Sequence, residues 1–123
     1  MFDQLKAMGT LAGLLKNKEK LKHIADEFRD TLEHTVVDGQ AGSGAVRVRM
    51  TARMRVQSIT IDPAVLAGMH EDSSRPQAEA LVVKAVNDAL EQAELVLKRE
   101  AANAAQQAGL PAMPELERMA NTM

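Results

Sequence analysis

Residues 36–63 read VVDGQAGSGAVRVRMTARMRVQSITIDP. Gly39, Gly42 and Gly44 supply the permissive backbone that a tight turn needs. After the turn, Val46, Val48 and Met50 alternate with Arg47 and Arg49. Successive side chains of a strand point to opposite faces, so the apolar residues share one face and the arginines the other. A second run, residues 53–61, ends at Asp62-Pro63, where proline removes an amide donor and closes the strand. Within this run Met54 and Val56 are apolar at even positions, Ile59 and Ile61 at odd ones. A bulge near Gln57-Ser58 returns both pairs to one face. The turn at Ala52-Arg53 carries no Asn-Gly signal and leaves its type open.

Outward from this meander lie two segments of helical period. On the N-terminal side Leu5, Met8, Leu11, Leu14, Leu21, Ile24, Phe28 and Leu32 recur in steps that build one helix stripe. Gly9 and Gly13 weaken its first turns, so the regular helix is expected from about Leu14. Such a helix is longer than a sheet of three short strands can cover, which predicts that part of it projects or packs on another subunit. On the C-terminal side Asp62 is placed to cap a short helix opening at Pro63. Ser74 and Gln77 have capping-box spacing, with Pro76 in the first turn of a second long helix. Its stripe is Ala78, Leu81, Val82, Ala85, Val86, Ala89, Ala93 and Val96, and it stops at Gly109 before Pro111. The reading is α+β: helix, small antiparallel meander, helix. Residues 1–108 form one domain, and residues 109–123 are read as a flexible C-terminal tail.

Composition narrows the function classes. There is no cysteine among the 123 residues, which excludes disulfides, zinc–thiolate sites and thiol catalysis. Phe2 and Phe28 are the aromatic residues, so alanine, leucine, valine and methionine must fill the core. The N-terminal apolar residues are interrupted by Asp3, Lys6 and Lys16, so no signal peptide or transmembrane span is read, and the expected compartment is the cytoplasm. Net charge is −2, but the charges are segregated. Residues 1–22 hold five lysines against Asp3 and Glu19; residues 23–45 hold five acids against Arg29. Residues 46–61 hold four arginines and no acid, and the remainder is acidic. A segregated surface can engage a polyanion even when the whole molecule is not basic.

Taken together, the glycine turn, the V-R-V strand, the I-T-I-D-P-A-V-L block at 59–66 and the A-V-N-D-A-L block at 85–90 resemble the YbaB/EbfC family of bacterial nucleoid-associated proteins. The initial Met-Phe, the Gly-Leu-Pro at 109–111 and the chain length fit the same family. The resemblance implies an α-β-β-β-α subunit with a small antiparallel three-stranded sheet between two long helices. It also implies a tweezer-like homodimer that binds double-stranded DNA with little sequence preference, in the nucleoid. In that family the helices are implicated in holding DNA, the sheet and adjoining helices in dimerisation. Two features depart from the pattern: a lysine cluster replaces the usual N-terminal lead-in, and the second hairpin turn has no glycine.

Two basic clusters are candidate DNA contacts. Lys16, Lys18, Lys20 and Lys22 alternate along the first helix, as a solvated face or as a phosphate-contacting patch. Arg47, Arg49, Arg53 and Arg55 form the other cluster. They either answer Asp26, Glu27, Asp30 and Glu33 of the first helix or acids of a second subunit, or they present guanidinium forks to phosphate. Asn87-Asp88, beside the stripe of the last helix, is read as structural, bonding backbone or a facing subunit. His23, His34 and His70 have no metal-ligand spacing, and no nucleophile–base pair or phosphate loop is present. No enzyme activity, metal, cofactor, small-molecule substrate or membrane partner is therefore expected. The rival reading is a dimeric protein-interaction adaptor, its acidic C-terminal helix docking a basic partner without direct DNA binding.

Overall fold

The computed structural model describes residues 2–109, and their side chains from Asn17 onward. The elements run α1 (Phe2–His34), β1 (Val36–Ala41), β2 (Val46–Thr51), β3 (Val56–Ile61), α2 (Pro63–Met69) and α3 (Arg75–Gln107). The strands form one antiparallel sheet in the order β1-β2-β3. This is the expected α-β-β-β-α order, with α2 as the short helix anticipated at Pro63. The bulge also falls where alternation required it. Arg49 pairs with Ser58 and Met50 with Val56, which leaves Gln57 as the extra residue.

The core sits between β1, β2 and one face of α3. Val46, Val48 and Met50 of the central strand are fully enclosed, each contributing about 1.5–3 kcal/mol of burial. Opposite them lie Ala85, Ala89 and Ala93, one helical turn apart and wholly buried. Gly39 is the counterpart of these alanines. It is not part of the turn, as the glycine spacing suggested, but lies inside β1 with its face against α3. A Cβ there would stand 2.5 Å from the Ala85 carbonyl oxygen and 2.6 Å from the Ala89 Cα. The turn itself is carried by Gly42, Ser43 and Gly44, all at positive φ. In the second hairpin Met54 takes the left-handed conformation (φ 64°) that a glycine would occupy more easily.

Three helix ends differ from expectation. α1 begins at Phe2 rather than near Leu14, so Gly9 and Gly13 lie within it. Their cost of about 1 kcal/mol each is small against the cooperativity of a continuous helix. Asp62 caps α2 through its carbonyl oxygen, which accepts the Val65 and Leu66 amides, and not through its carboxylate. The capping box at α3 does not form, because the Ser74 hydroxyl donates instead to the Gly68 carbonyl of α2 at 2.6 Å. Leu110 and the rest of the proposed tail lie outside the described residues.

α3 lies with its last turns beside the C-terminal third of α1. Up to Ala93 its buried face rests on the sheet, and beyond it the groove with α1 is lined by Ile24, Phe28, Thr31, Asn103, Ala104 and others. Ile24 of this groove is buried, as is Leu32 farther along α1. N-terminal to Ile24, every residue from 17 to 23 is exposed, and the helix continues to Phe2. At about 1.5 Å per residue the 33-residue α1 spans roughly 50 Å. The predicted projection is therefore a property of the fold.

Asp88 belongs to this framework as well. Its carboxylate accepts the Gln40 backbone N–H at 2.9 Å, on the outer edge of β1. Of the Asn87-Asp88 pair, the structural reading holds for the aspartate alone: Asn87, whose amide was expected to be buried, is exposed. This contact occupies an edge donor that would otherwise invite another strand. Asp88→Ala is expected to cost about 0.5–1.5 kcal/mol, since water can reach the freed amide, and to speed hydrogen exchange at the Gln40 amide. Unchanged exchange at that amide would show that the bond holds nothing.

Candidate nucleic-acid interface

The lysines of α1 and the arginines of the meander occupy different settings. Lys18, Lys20 and Lys22 are exposed on the unpacked part of α1 and have no ion-pair partner among the described residues. The Lys16 side chain lies outside the described residues. Helical spacing puts Lys18 and Lys22 one turn apart on one side of Leu21 and Lys20 on the other. The arm therefore carries positive charge on both flanks of its apolar stripe.

The four arginines separate into two pairs. Arg47 and Arg49 share the exposed face of β2. Arg47 Nε donates to the Gly44 carbonyl at 3.3 Å, across its own turn. Arg49 Nε pairs with Asp38 Oδ1 at 3.2 Å, directly across the β1–β2 ladder. Arg53 and Arg55 lie instead in the β2–β3 connection. Arg53 reaches back to Glu33 at the end of α1, with Nη1 to Oε1 at 2.7 Å. At the same corner the Ala52 amide donates to the Thr35 carbonyl, tying the turn to the α1–β1 junction. The Arg55 side chain has no partner among the described residues.

So the acids of α1 answer one arginine, Arg53 through Glu33. The others named from sequence do not: Asp30 holds His34, and Glu27 holds His23. The Asp30 carbonyl and carboxylate raise the His34 pKa, since both favour the protonated ring. Asp38 is the acid that sequence reasoning missed. Its position opposite Arg49 follows by counting outward from the Ala41–Val46 pair, once the hairpin register is known.

A further surface is apolar. α3 lies over β1 and β2 but barely reaches β3. Val56 and Ile59 point to the same side of the sheet as their partners Met50 and Val48, yet they remain 48% and 46% exposed. Since Asp88 marks the flank of α3 that faces the outer edge of β1, the opposite flank faces β3. At 3.6 residues per turn that flank carries Val83, Val86 and Leu90. Val83 is exposed and the other two are half-buried. Together they form an uncovered apolar step between helix and sheet. Among the described residues no helix is long and apolar enough to cross a membrane.

Comparison with known proteins places these features in context. The profile of the YbaB/EbfC DNA-binding family matches residues 8–108. The chain is 36% identical over 109 residues to a nucleoid-associated protein of Bordetella avium, covering 89% of this chain and 94% of that one. It is likewise 36% identical over 93 residues to a nucleoid-associated protein of Nitrobacter hamburgensis, covering 76% and 84%. Among solved structures, an uncharacterised protein from Helicobacter pylori shares the fold, with a TM-score of 0.60 at 22% identity over 76% of this chain and 90% of that one.

Proposed function

The chain belongs to the YbaB/EbfC DNA-binding family, and on that premise we propose that it acts as a homodimer that binds duplex DNA through backbone phosphates, with little preference for sequence. The observation that carries this reading is the projecting arm of α1, whose exposed lysines have no acid partner among the described residues. Lys18, Lys20 and Lys22, without an ion pair among the described residues, give up no carboxylate to meet phosphate, whereas Arg49 and Arg53 must first leave one. We assign Lys16, Lys18, Lys20 and Lys22 as the principal contacts, with Arg47, Arg49, Arg53 and Arg55 as the second basic group. In this reading both sets contact phosphate oxygens rather than base edges. The names of the relatives point to the nucleoid as the place of action, and the family name points to DNA binding.

The dimer is supported by the apolar step between α3 and β3. A second copy would cover Val56, Ile59 and Val83 and bring a second lysine arm to the same DNA. Ile59→Asp would place a charge in that contact. Sedimentation of this variant is expected to give monomers at concentrations where the unmodified chain sediments as a dimer. An Ile59→Asp dimer would move the contact elsewhere. Sequence preference is tested with two unrelated dye-labelled duplexes, the label being needed because the chain has no Trp or Tyr. Affinities within about threefold are expected; a difference of about a hundredfold would indicate base readout.

A further inference from the structure

The open face of the sheet has an order that the lysine arm lacks. The strand register lays out two parallel rows: Gln40, Arg47 and Thr60 in one, Asp38, Arg49 and Ser58 in the other. These side chains line a shallow trough bounded by Asp88 and Gln92 of α3. Arg47 is tied through its Nε alone, to a neutral carbonyl. Beside Arg49 and Arg47 the Ser58 and Thr60 hydroxyls add two more donors on the same face. Two guanidinium forks flanked by hydroxyls suit the tetrahedral oxygens of a phosphodiester. The charges opposing them are Asp38, paired with Arg49, and Asp88, committed to the Gln40 amide at the edge.

We propose that this face is a second phosphate-binding surface for duplex DNA, separate from the lysine arm, and that Asp38 is its built-in competitor. Phosphate binding exchanges the Arg49–Asp38 pair for an Arg49–phosphate pair. Because Arg49 and Asp38 are both more than half exposed, their pair adds little to stability, and the exchange is available without unfolding the hairpin. Asp38 thus sets the strength of DNA binding without touching DNA. The inference rests on the DNA-binding reading above and assigns within it a residue that weakens the complex.

A double-mutant cycle on Asp38 and Arg49 tests this, using anisotropy of a dye-labelled 20-base-pair duplex across a salt series. Asp38→Asn is expected to tighten binding about fivefold at low salt and to steepen the salt slope by about 0.9, the signature of one added phosphate contact. In an Arg49→Ser background the same Asp38→Asn change is expected to gain less than twofold. An unchanged affinity in Asp38→Asn overturns the proposal while leaving the DNA-binding reading intact. A gain that persists without Arg49 also overturns it, because the effect is then a bulk loss of negative charge. If neither the unmodified chain nor any variant binds the duplex, the DNA-binding reading fails and this inference with it.

Discussion

Gly39→Val is expected to lower the melting temperature by roughly 15 °C or more, a loss of about 4 kcal/mol. At a generic strand position the same change stabilises, since valine favours extended backbone and glycine costs entropy there. Here the sign reverses because β1 and α3 meet backbone to backbone. The atoms that a Cβ would strike are the Ala85 carbonyl oxygen and the Ala89 backbone, not the ends of flexible side chains. No rotamer change relieves such an overlap, so α3 must lift from the sheet and uncover Val48 and Met50. Gly39→Ala, which adds a single methyl, is expected to lie between the two. Thermal denaturation followed by circular dichroism measures both. A Gly39→Val melting point within about 3 °C of the unmodified protein would mean that the close approach is not what fixes the helix.

The contrast between Gly39 and its neighbours shows how far the sequence could be read. Alternation alone placed Val46, Val48 and Met50 in the core, and the parity change between Val56 and Ile59 located the bulge at Gln57. Both are period-two arguments that need no knowledge of what packs on the sheet. Gly39 was assigned to the turn because a glycine near Gly42 and Gly44 carries the same letter whether it bends the chain or admits a helix. Only the contact with α3 separates the two roles. The capping box failed for a related reason. The Ser74 hydroxyl had a second acceptor, the Gly68 carbonyl, that lies six residues away and is brought close by α2.

Charge was the least legible part of the candidate interface. The arginine alternation put Arg47 and Arg49 on one face correctly, but Arg53 and Arg55, grouped with them as one cluster, lie in the connection between strands. Which acid answers which arginine depended on register in one case, Asp38 with Arg49. In the other it depended on the docking of α1 against the β2–β3 turn, Glu33 with Arg53. The exposure of the lysines followed more directly, because a helix of that length outruns the sheet and partner helix available to cover it.

Substituting glutamine for Lys16, Lys18, Lys20 and Lys22 together is expected to weaken duplex binding at least about a hundredfold near 50 mM salt. Four positive charges leave each chain, and in a dimer the arm occurs twice, so several phosphates are released at once. The salt slope should become shallower by about 0.9 for each phosphate that is no longer neutralised. Stability should change little, because Lys18, Lys20 and Lys22 are exposed on a stretch of α1 that packs against nothing described. This separates the variant from Gly39→Val, which acts on the fold and leaves the arm intact. A loss smaller than about threefold would move the principal DNA-binding groups from the arm to the arginine-bearing side of the molecule.

The claim underlying the DNA-binding expectations is that DNA is held through phosphates. The salt dependence of duplex binding by the unmodified chain tests it most directly, with dye-labelled DNA and logarithmic plots of affinity against salt. A straight line with a slope steeper than about −3, reflecting at least four neutralised phosphates, is the predicted result. Tight binding that does not change with salt, or no binding at low salt, would contradict it.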